Sequence, residues 1–232
     1  ILVELSKKIS TIVGKTNAEY GLVKEGDRIL VGFSGGKDSL TLIHTLNRLK
    51  KVAPYNFEFK AVTVTYGMGE QVQFLSNHCK EHEIEHEIID TQIFELAGEK
   101  IRKNSSFCSF FSRMRRGYLY STAQEQGYNK VALGHHLDDA MESFFMNFFY
   151  NGTMRSMPPK YTAENGLEVI RPLIFCRERQ LRAFADTNEI NVIGDEACPG
   201  LRFDVKMPHA RAATKELLAK LEIENPQIFV SM

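Results

Sequence analysis

Cysteine is scarce in this chain and scattered: Cys79, Cys108, Cys176 and Cys198 are the only four in 232 residues. That number and spacing exclude a secreted disulfide framework and fit a reducing compartment in which thiols act as ligands or nucleophiles. Net charge is lacking too. Lysine plus arginine come to 29 and aspartate plus glutamate to 29, so no global basic field draws in nucleic acid and any RNA site must be a local patch. No apolar run is long enough to cross a bilayer, so no membrane partner is expected. The opening Ile1-Leu2-Val3-Glu4-Leu5-Ser6-Lys7-Lys8 puts its charges after a very short apolar stretch, unlike a signal peptide, and a cytoplasmic protein is expected. Internal repeats and low-complexity linkers are absent. The remainder is ordinary globular composition, 43 % apolar and 25 % charged, enough for a core without staples.

Helical and strand patterns alternate along the chain. An amphipathic helix is predicted near 2–18, with Leu5, Ile9 and Val13 on one face. Short apolar runs predict strands at Arg28–Phe33, Phe59–Thr65, His86–Asp90, Lys130–Gly134 and Val169–Leu173. Helices are expected at Ser39–Leu49, near 70–82, near 113–126, at Asp139–Tyr150, and near 177–187 and 208–222. Continuous apolar strands between helices argue for a mostly parallel, doubly wound α/β sheet covered on both faces. The stretch Asn151–Leu167 reads as a substrate-side loop. Residues 1–24 form an N-terminal helix, 25–190 the main domain and 191–232 a cysteine-bearing helical extension packed as one unit with it.

Chemistry concentrates first at Ser34-Gly35-Gly36-Lys37-Asp38-Ser39, between the first strand and the next helix. Glycines let the backbone approach a ligand closely, and a helix start offers unpaired N–H groups and a positive dipole end to an anion. Lys37 adds a point charge for phosphate oxygens, and Ser34 and Ser39 add hydroxyls. Asp38 beside a polyanion calls for a divalent cation, Mg²⁺. The spacing is not that of a Walker A loop, because Asp38 follows Lys37. The plainer reading is a glycine-rich turn with a surface lysine; the strand–loop–helix context opposes it.

This segment resembles the signature of the PP-loop ATP pyrophosphatases, and the resemblance implies ATP cleaved to AMP and pyrophosphate with transfer of AMP to a carbonyl-type oxygen. It also implies a five-stranded sheet of order 3-2-1-4-5, with ligands at the switch point between the first and fourth strands. Gly134-His135-His136-Leu137-Asp138-Asp139 falls right after the fourth strand and is similar to clusters in the tRNA-modifying subset. In that light Gly134 lets ribose and α-phosphate come close, His135 or His136 stabilises a phosphate or substrate oxygen, and Asp139 shares Mg²⁺ with Asp38. Phe33 and Thr63 join the loop and Gly134 and His135 as nucleotide contacts. The plainer reading makes Asp138 a helix N-cap beside incidental histidines.

Between Ile101 and Arg116 stand Arg102, Lys103, Arg113, Arg115 and Arg116 and no acid. Such a run is either a solvated helix face or a phosphate-binding patch. Cys108, the Ser112–Gly117 run, Gly134-His135-His136, Met157-Pro158-Pro159-Lys160, Arg171-Pro172-Leu173 and Cys198 follow one another in the order of the tRNA 2-thiocytidine synthetases, and the resemblance extends from about Lys15 to about Glu222. It implies adenylation of a cytidine carbonyl in a tRNA anticodon loop, sulfur transfer from a donor protein, RNA contacts by Arg113, Arg115 and Arg116, and a 4Fe–4S cluster on three cysteines. Cys108 and Cys198 match two of these. Phe111 stands in place of the third and cannot bind iron. Three readings stay open: a weakly held cluster with another third ligand, a cluster-free pair of reactive thiols at Cys108 and Cys198, or a diverged paralogue without sulfur transfer. Loss or weakening of the cluster is the expectation. The rival functions are an adenylating enzyme for a small molecule and a non-catalytic nucleotide sensor.

Two further groups stand apart. His78 and His82 share a helix face at i, i+4 and suit zinc. Glu81, Glu83 and Glu85 beside them favour a solvated helix end instead. The stripe Met141, Phe144, Phe145, Phe148 reads as core or as the contact of a homodimer.

Overall fold

The computed structural model describes residues 3–100, 107–194 and 209–231, excepting the side chains of 98–100, 107–109, 209 and 231. Along the chain run α1 (Lys7–Tyr20), β1 (Arg28–Gly32), α2 (Lys37–Val52), β2 (Glu58–Val64), α3 (Gln73–Glu81), β3 (His86–Ile89), α4 (Ile93–Lys100) and α5 (Phe107–Glu125). There follow β4 (Lys130–Ala132), α6 (Leu137–Asn151), β5 (Lys160–Thr162), β6 (Glu168–Ile170), α7 (Glu178–Thr187), α8 (His209–Glu224) and α9 (Ile228–Ser231).

The strands pair as β3-β2-β1-β4-β6-β5. The five strands anticipated from the sequence are parallel and in the order expected. A sixth, β5, lies antiparallel to β6 at the edge and corrects the reading of Asn151–Leu167 as a loop throughout. Tyr161 faces Val169 in that pairing, but three residues are too few to display a period of two in the sequence.

Alternation along the strands divides the core in two. Ile29 and Val31 of β1, Ala132 of β4 and Ile170 of β6 face a cluster built with Ile9, Leu42, Leu46, Leu75 and Leu181. Leu30, Val131 and Val169 face the other cluster, with Phe111, Leu119 and Ala123. Both faces of the sheet are therefore covered, as a parallel sheet requires.

Local signals explain the helix ends. Ser6 accepts a hydrogen bond from the Ile9 N–H at 3.2 Å and starts α1, and Gly21, left-handed at φ 59°, ends it. No side chain caps α2, whose N-cap is Gly36, so its first turn is left for an anion. Helix α5 begins earlier than its sequence pattern indicates, because Phe110 and Phe111 add to its apolar face. Met141 joins Leu218 and Phe229 in a third cluster that ties α6 to α8 and α9.

Candidate active site

Strands β1 and β4 are neighbours, so α2 and α6 both begin at one crevice beyond their carboxyl ends. The loop before α2 is braced internally. Ser34 N–H donates to Ser39 Oγ at 3.1 Å, the two hydroxyls lie 3.1 Å apart, and Ser39 Oγ donates to Gly36 O at 3.0 Å. Gly35 sits at φ +80°, and a Cβ there would lie 2.7 Å from Ile193 Cδ1 and 2.9 Å from Leu75 Cδ2. Ile193 N–H also donates to Gly35 O at 2.9 Å. Gly134 serves for a different reason. A Cβ on it would stand 3.2 Å from the Asp38 carbonyl and from Ser39 N, so glycine lets the end of β4 approach the start of α2 without pushing that backbone aside.

Lys37 Nζ lies 3.1 Å from Asp38 Oδ1 and 3.1 Å from Glu178 Oε1. Burial opposes its charge, but Asp38 and Glu178 outweigh burial and raise its pKa. Glu178, which the sequence reading missed, is pushed up by burial. Hydrogen bonds and charge from Lys215 and Lys37 overcome this and bring it to about 2. Asp38 goes the other way: burial pushes it up, and Lys37 and His136 only partly offset that. Its Oδ1 is buried and outside hydrogen-bonding geometry with every neighbour among the described residues. Its close cationic neighbour is Lys37 Nζ at 3.1 Å, an ion pair rather than a well-directed hydrogen bond, and a carboxylate oxygen is the ligand type that Mg²⁺ takes.

His136, not Asp138, is the N-cap of α6. Its extended backbone lets Nδ1 accept from Asp139 N–H at 3.3 Å, and Asp139 Oδ2 accepts from His136 N–H at 3.1 Å. Asp138 serves a different helix, accepting from Glu178 N–H at 2.6 Å at the start of α7 and pairing with the Arg177 guanidinium. Asp139 Oδ1 accepts from Arg211 Nη2 at 2.8 Å, and Arg211 Nε reaches Glu142 at 2.8 Å. Arg177 also forms a two-pronged pair with Glu222 and lies over the Phe229 ring. Helix α8 is thus anchored beside the crevice by charge.

His135 Nδ1 accepts from Arg171 Nε at 3.2 Å, which leaves the proton on Nε2. Burial lowers its pKa to about 4, with Arg171 and Arg116 adding to the effect. Arg171 is itself held by Pro158 O at 2.7 Å and lies over Tyr161 of β5. Thr63 is buried, its hydroxyl donating to Phe33 O at 2.7 Å and meeting His86 Nε2 at 2.8 Å, so in the structure it fixes the end of β1. Burial lowers His86 as well, to about 4. For His86 and His135 the unfolded chain takes up protons between pH 6.5 and 4 and the folded chain does not, so stability must fall as pH drops through that window. Thermal melts should show Tm falling by roughly a few degrees per pH unit there, with a shallower slope in His86→Gln. An equal slope in that variant would show that His86 does not contribute.

The arginines diverge. Arg113 is exposed, Arg115 donates to Tyr66 Oη at 2.6 Å, and Arg116 is close enough for its charge to act on His135 and Arg171. Phe111 is buried, edge-on to Tyr66 and stacked on Phe94. The Cys108 side chain and all of Cys198 lie outside the described residues. Cys79 and Cys176 are buried, and burial pushes both thiols up to about 12, so neither is a ready thiolate.

An open parallel sheet with a glycine-rich phosphate loop and an acidic, histidine-bearing turn at its switch point defines a nucleotide-binding α/β protein. Residues 2–206 match the PP-loop domain family. The tRNA-cytidine(32) 2-sulfurtransferase of Geobacter metallireducens is 42 % identical over 96 % of this chain and 86 % of its own. That of Pseudomonas fluorescens is 39 % identical over 96 % and 80 %. The U34-tRNA thiolase NcsA from Methanococcus maripaludis, solved with its 4Fe–4S cluster, superposes with a TM-score of 0.79 at 25 % identity, over 97 % of this chain and 76 % of its own. The chain belongs to the ATP-using PP-loop family and, within it, to the group formed by these tRNA-cytidine sulfurtransferases.

Proposed function

We propose that this protein uses ATP to adenylate a cytidine carbonyl of tRNA, in the anticodon region, and then replaces the oxygen with sulfur. The observation that carries this is the meeting of the uncapped α2 start, Lys37 and Asp38 with the His135–Asp139 turn, in a chain of this family. The cytidine C2 oxygen attacks the α-phosphorus, the bond to the β-phosphate oxygen breaks and pyrophosphate leaves. A sulfide equivalent from a donor protein then adds at C2, and AMP leaves with the oxygen.

Lys37 binds the departing phosphates once they displace Glu178 from it. His135, neutral and oriented by Arg171, donates a hydrogen bond from Nε2–H to an oxygen of the phosphate or the base. The N–H groups of Gly35, Gly36 and the first turn of α2 hold the pyrophosphate. Phe33, Ser34, Ser39, Thr63 and Gly134 shape the wall of the nucleotide site. Asp38 and Asp139 would hold Mg²⁺, whose charge would offset that of the phosphates. In this reading Arg211 gives up Asp139 when nucleotide and metal bind. α-Labelled ATP and tRNA transcripts should yield AMP and pyrophosphate; ADP with phosphate as the only products would refute the reading.

The residues present do not fit a three-cysteine cluster, since the buried Phe111 ring offers no donor. Cys108 and Cys198 instead act as the sulfur-handling pair, and anaerobic iron and sulfide analysis reads this directly. Residues 1–24, 25–190 and 191–232 work as one unit in the cytoplasm. Phe148, exposed on α6, belongs to a homodimer contact that light scattering would detect.

Arg113, Arg115 and Arg116 bind tRNA phosphates. Their joint replacement by alanine should weaken tRNA binding and reduce the salt slope by about 0.7–0.9 for each phosphate left without its arginine. An unchanged slope would place them on a merely solvated face.

A further inference from the structure

The helix face bearing His78 and His82 is not a simple solvated helix end. Across from it on α2 stands His44, buried, with its Nε2 2.8 Å from His78 Nε2. The His82 ring lies 4.8 Å from His44 and 4.7 Å from His78 between centroids. One ligand nitrogen from each ring comes within 4.8 Å of the others. We propose that His44, His78 and His82 form a binding site for a zinc-class divalent ion that ties α3 to α2.

A tetrahedral zinc site with Zn–N near 2.0–2.1 Å needs nitrogens about 3.3 Å apart; the His44 and His78 nitrogens lie 2.8 Å apart and the three ligand atoms lie within 4.8 Å of one another, so side-chain rotation must bring them to that spacing. Two ligands at i, i+4, His78 in the last turn of α3 and His82 at its C-cap, and a third on α2 leave a fourth position for water. His44 and His82 also line a cavity of about 680 Å³, shared with Glu81 and Glu83. Imidazole ligands without thiolate or carboxylate select zinc and its late first-row neighbours over magnesium or calcium.

Neutral imidazole is the form that binds metal, and burial disfavours the charged form of all three rings. Among the described residues, the only hydrogen bond made by the His44 ring is with His78. A shared cation would satisfy all three lone pairs at once. Cys79, between the two α3 histidines, is not part of the set, since burial keeps it a thiol.

The clamp would act at one remove from the phosphate loop. Helix α2 starts at that loop, and Leu75 of α3 lies against Gly35. Holding α3 to α2 therefore holds Leu75 over the loop, a structural role rather than a catalytic one.

The test uses the full-length chain stripped of metal with a chelator and titrated with Co²⁺ and Zn²⁺. Cys108→Ser/Cys198→Ser serves as a background that removes competing thiolates. In both parent and background, one Co²⁺ per chain should give tetrahedral d–d bands without thiolate charge-transfer bands, and Zn²⁺ should displace it and raise Tm. Changes outside the ligand shell alone cost 10–100-fold, so His78→Ala/His82→Ala should weaken binding by about 100-fold or more and abolish the Tm rise. His82→Gln, a milder change at a less buried position, should show the same direction if the double variant folds poorly. Equal binding by parent and histidine variants would overturn the site, as would binding that disappears in the cysteine background.

Discussion

Replacing Lys37 with alanine should lower AMP formation about 10²–10³-fold, the usual cost of removing one preorganised charge from a developing oxyanion. The ammonium lies between Asp38 and Glu178, so it is already in place and charged when phosphates arrive. Stability should change far less. Glu178 retains Lys215 at 3.1 Å and its position at the start of α7, while Asp38, whose pKa burial raises, can take up a proton. The loss should therefore appear in kcat/KM for ATP with Tm within a few degrees of the parent. A loss below tenfold would remove Lys37 from the phosphate site. A collapse in Tm would make its role structural.

Arg177→Ala should produce the largest loss of stability. Arg177 connects Asp138 of α6 to Glu222 of α8, with hydrogen bonds of 2.7–3.2 Å to the two carboxylates, and it covers the Phe229 ring. Burial opposes its charge, but Glu222 and Asp138 outweigh burial and raise its pKa. Removing one member of a buried pair costs 3–5 kcal/mol. Partial exposure of these groups lowers the expectation to about 2–3 kcal/mol. Urea denaturation would measure it, with Arg177→Lys recovering only part because an ammonium cannot make both two-pronged contacts. Since α8 carries Arg211, the same variant should loosen the grip on Asp139. Denaturation midpoints equal to the parent's would show that α8 is held without Arg177, by Arg211 and its apolar contacts to Met141 and Phe229.

The sequence was most informative where chemistry is local. Ser34–Ser39 and Gly134–Asp139 each follow a short apolar strand and open a helix, so their residue types could be read together with their backbone context. The parallel order of five strands followed from the same alternation. Less legible was everything made by distant segments meeting. His44 looks like one more residue of α2 until the fold sets it 34 positions away in sequence against His78. Glu178 and Arg211 carry no motif, yet they occupy Lys37 and Asp139. Asp138 has the right identity for a cap of its own helix, and nothing in the sequence shows that α7 starts beside it. Helix α4 was missed for want of length, with Ile93 and Ala97 its only fully buried described positions.

In the proposed mechanism phosphates displace Glu178 from Lys37, Asp38 and Asp139 would hold Mg²⁺, and the adenylated base then meets sulfur. The most direct measurement is nucleoside mass spectrometry of unmodified tRNA incubated with the purified protein, ATP, Mg²⁺ and a sulfide source. The account predicts a thiolated cytidine that appears only when ATP is present, is lost in Lys37→Ala, and forms in proportion to AMP. Cytidine that stays unmodified while ATP is cleaved to AMP on tRNA would contradict the sulfur-transfer half. No ATP cleavage in the presence of tRNA would contradict the account as a whole.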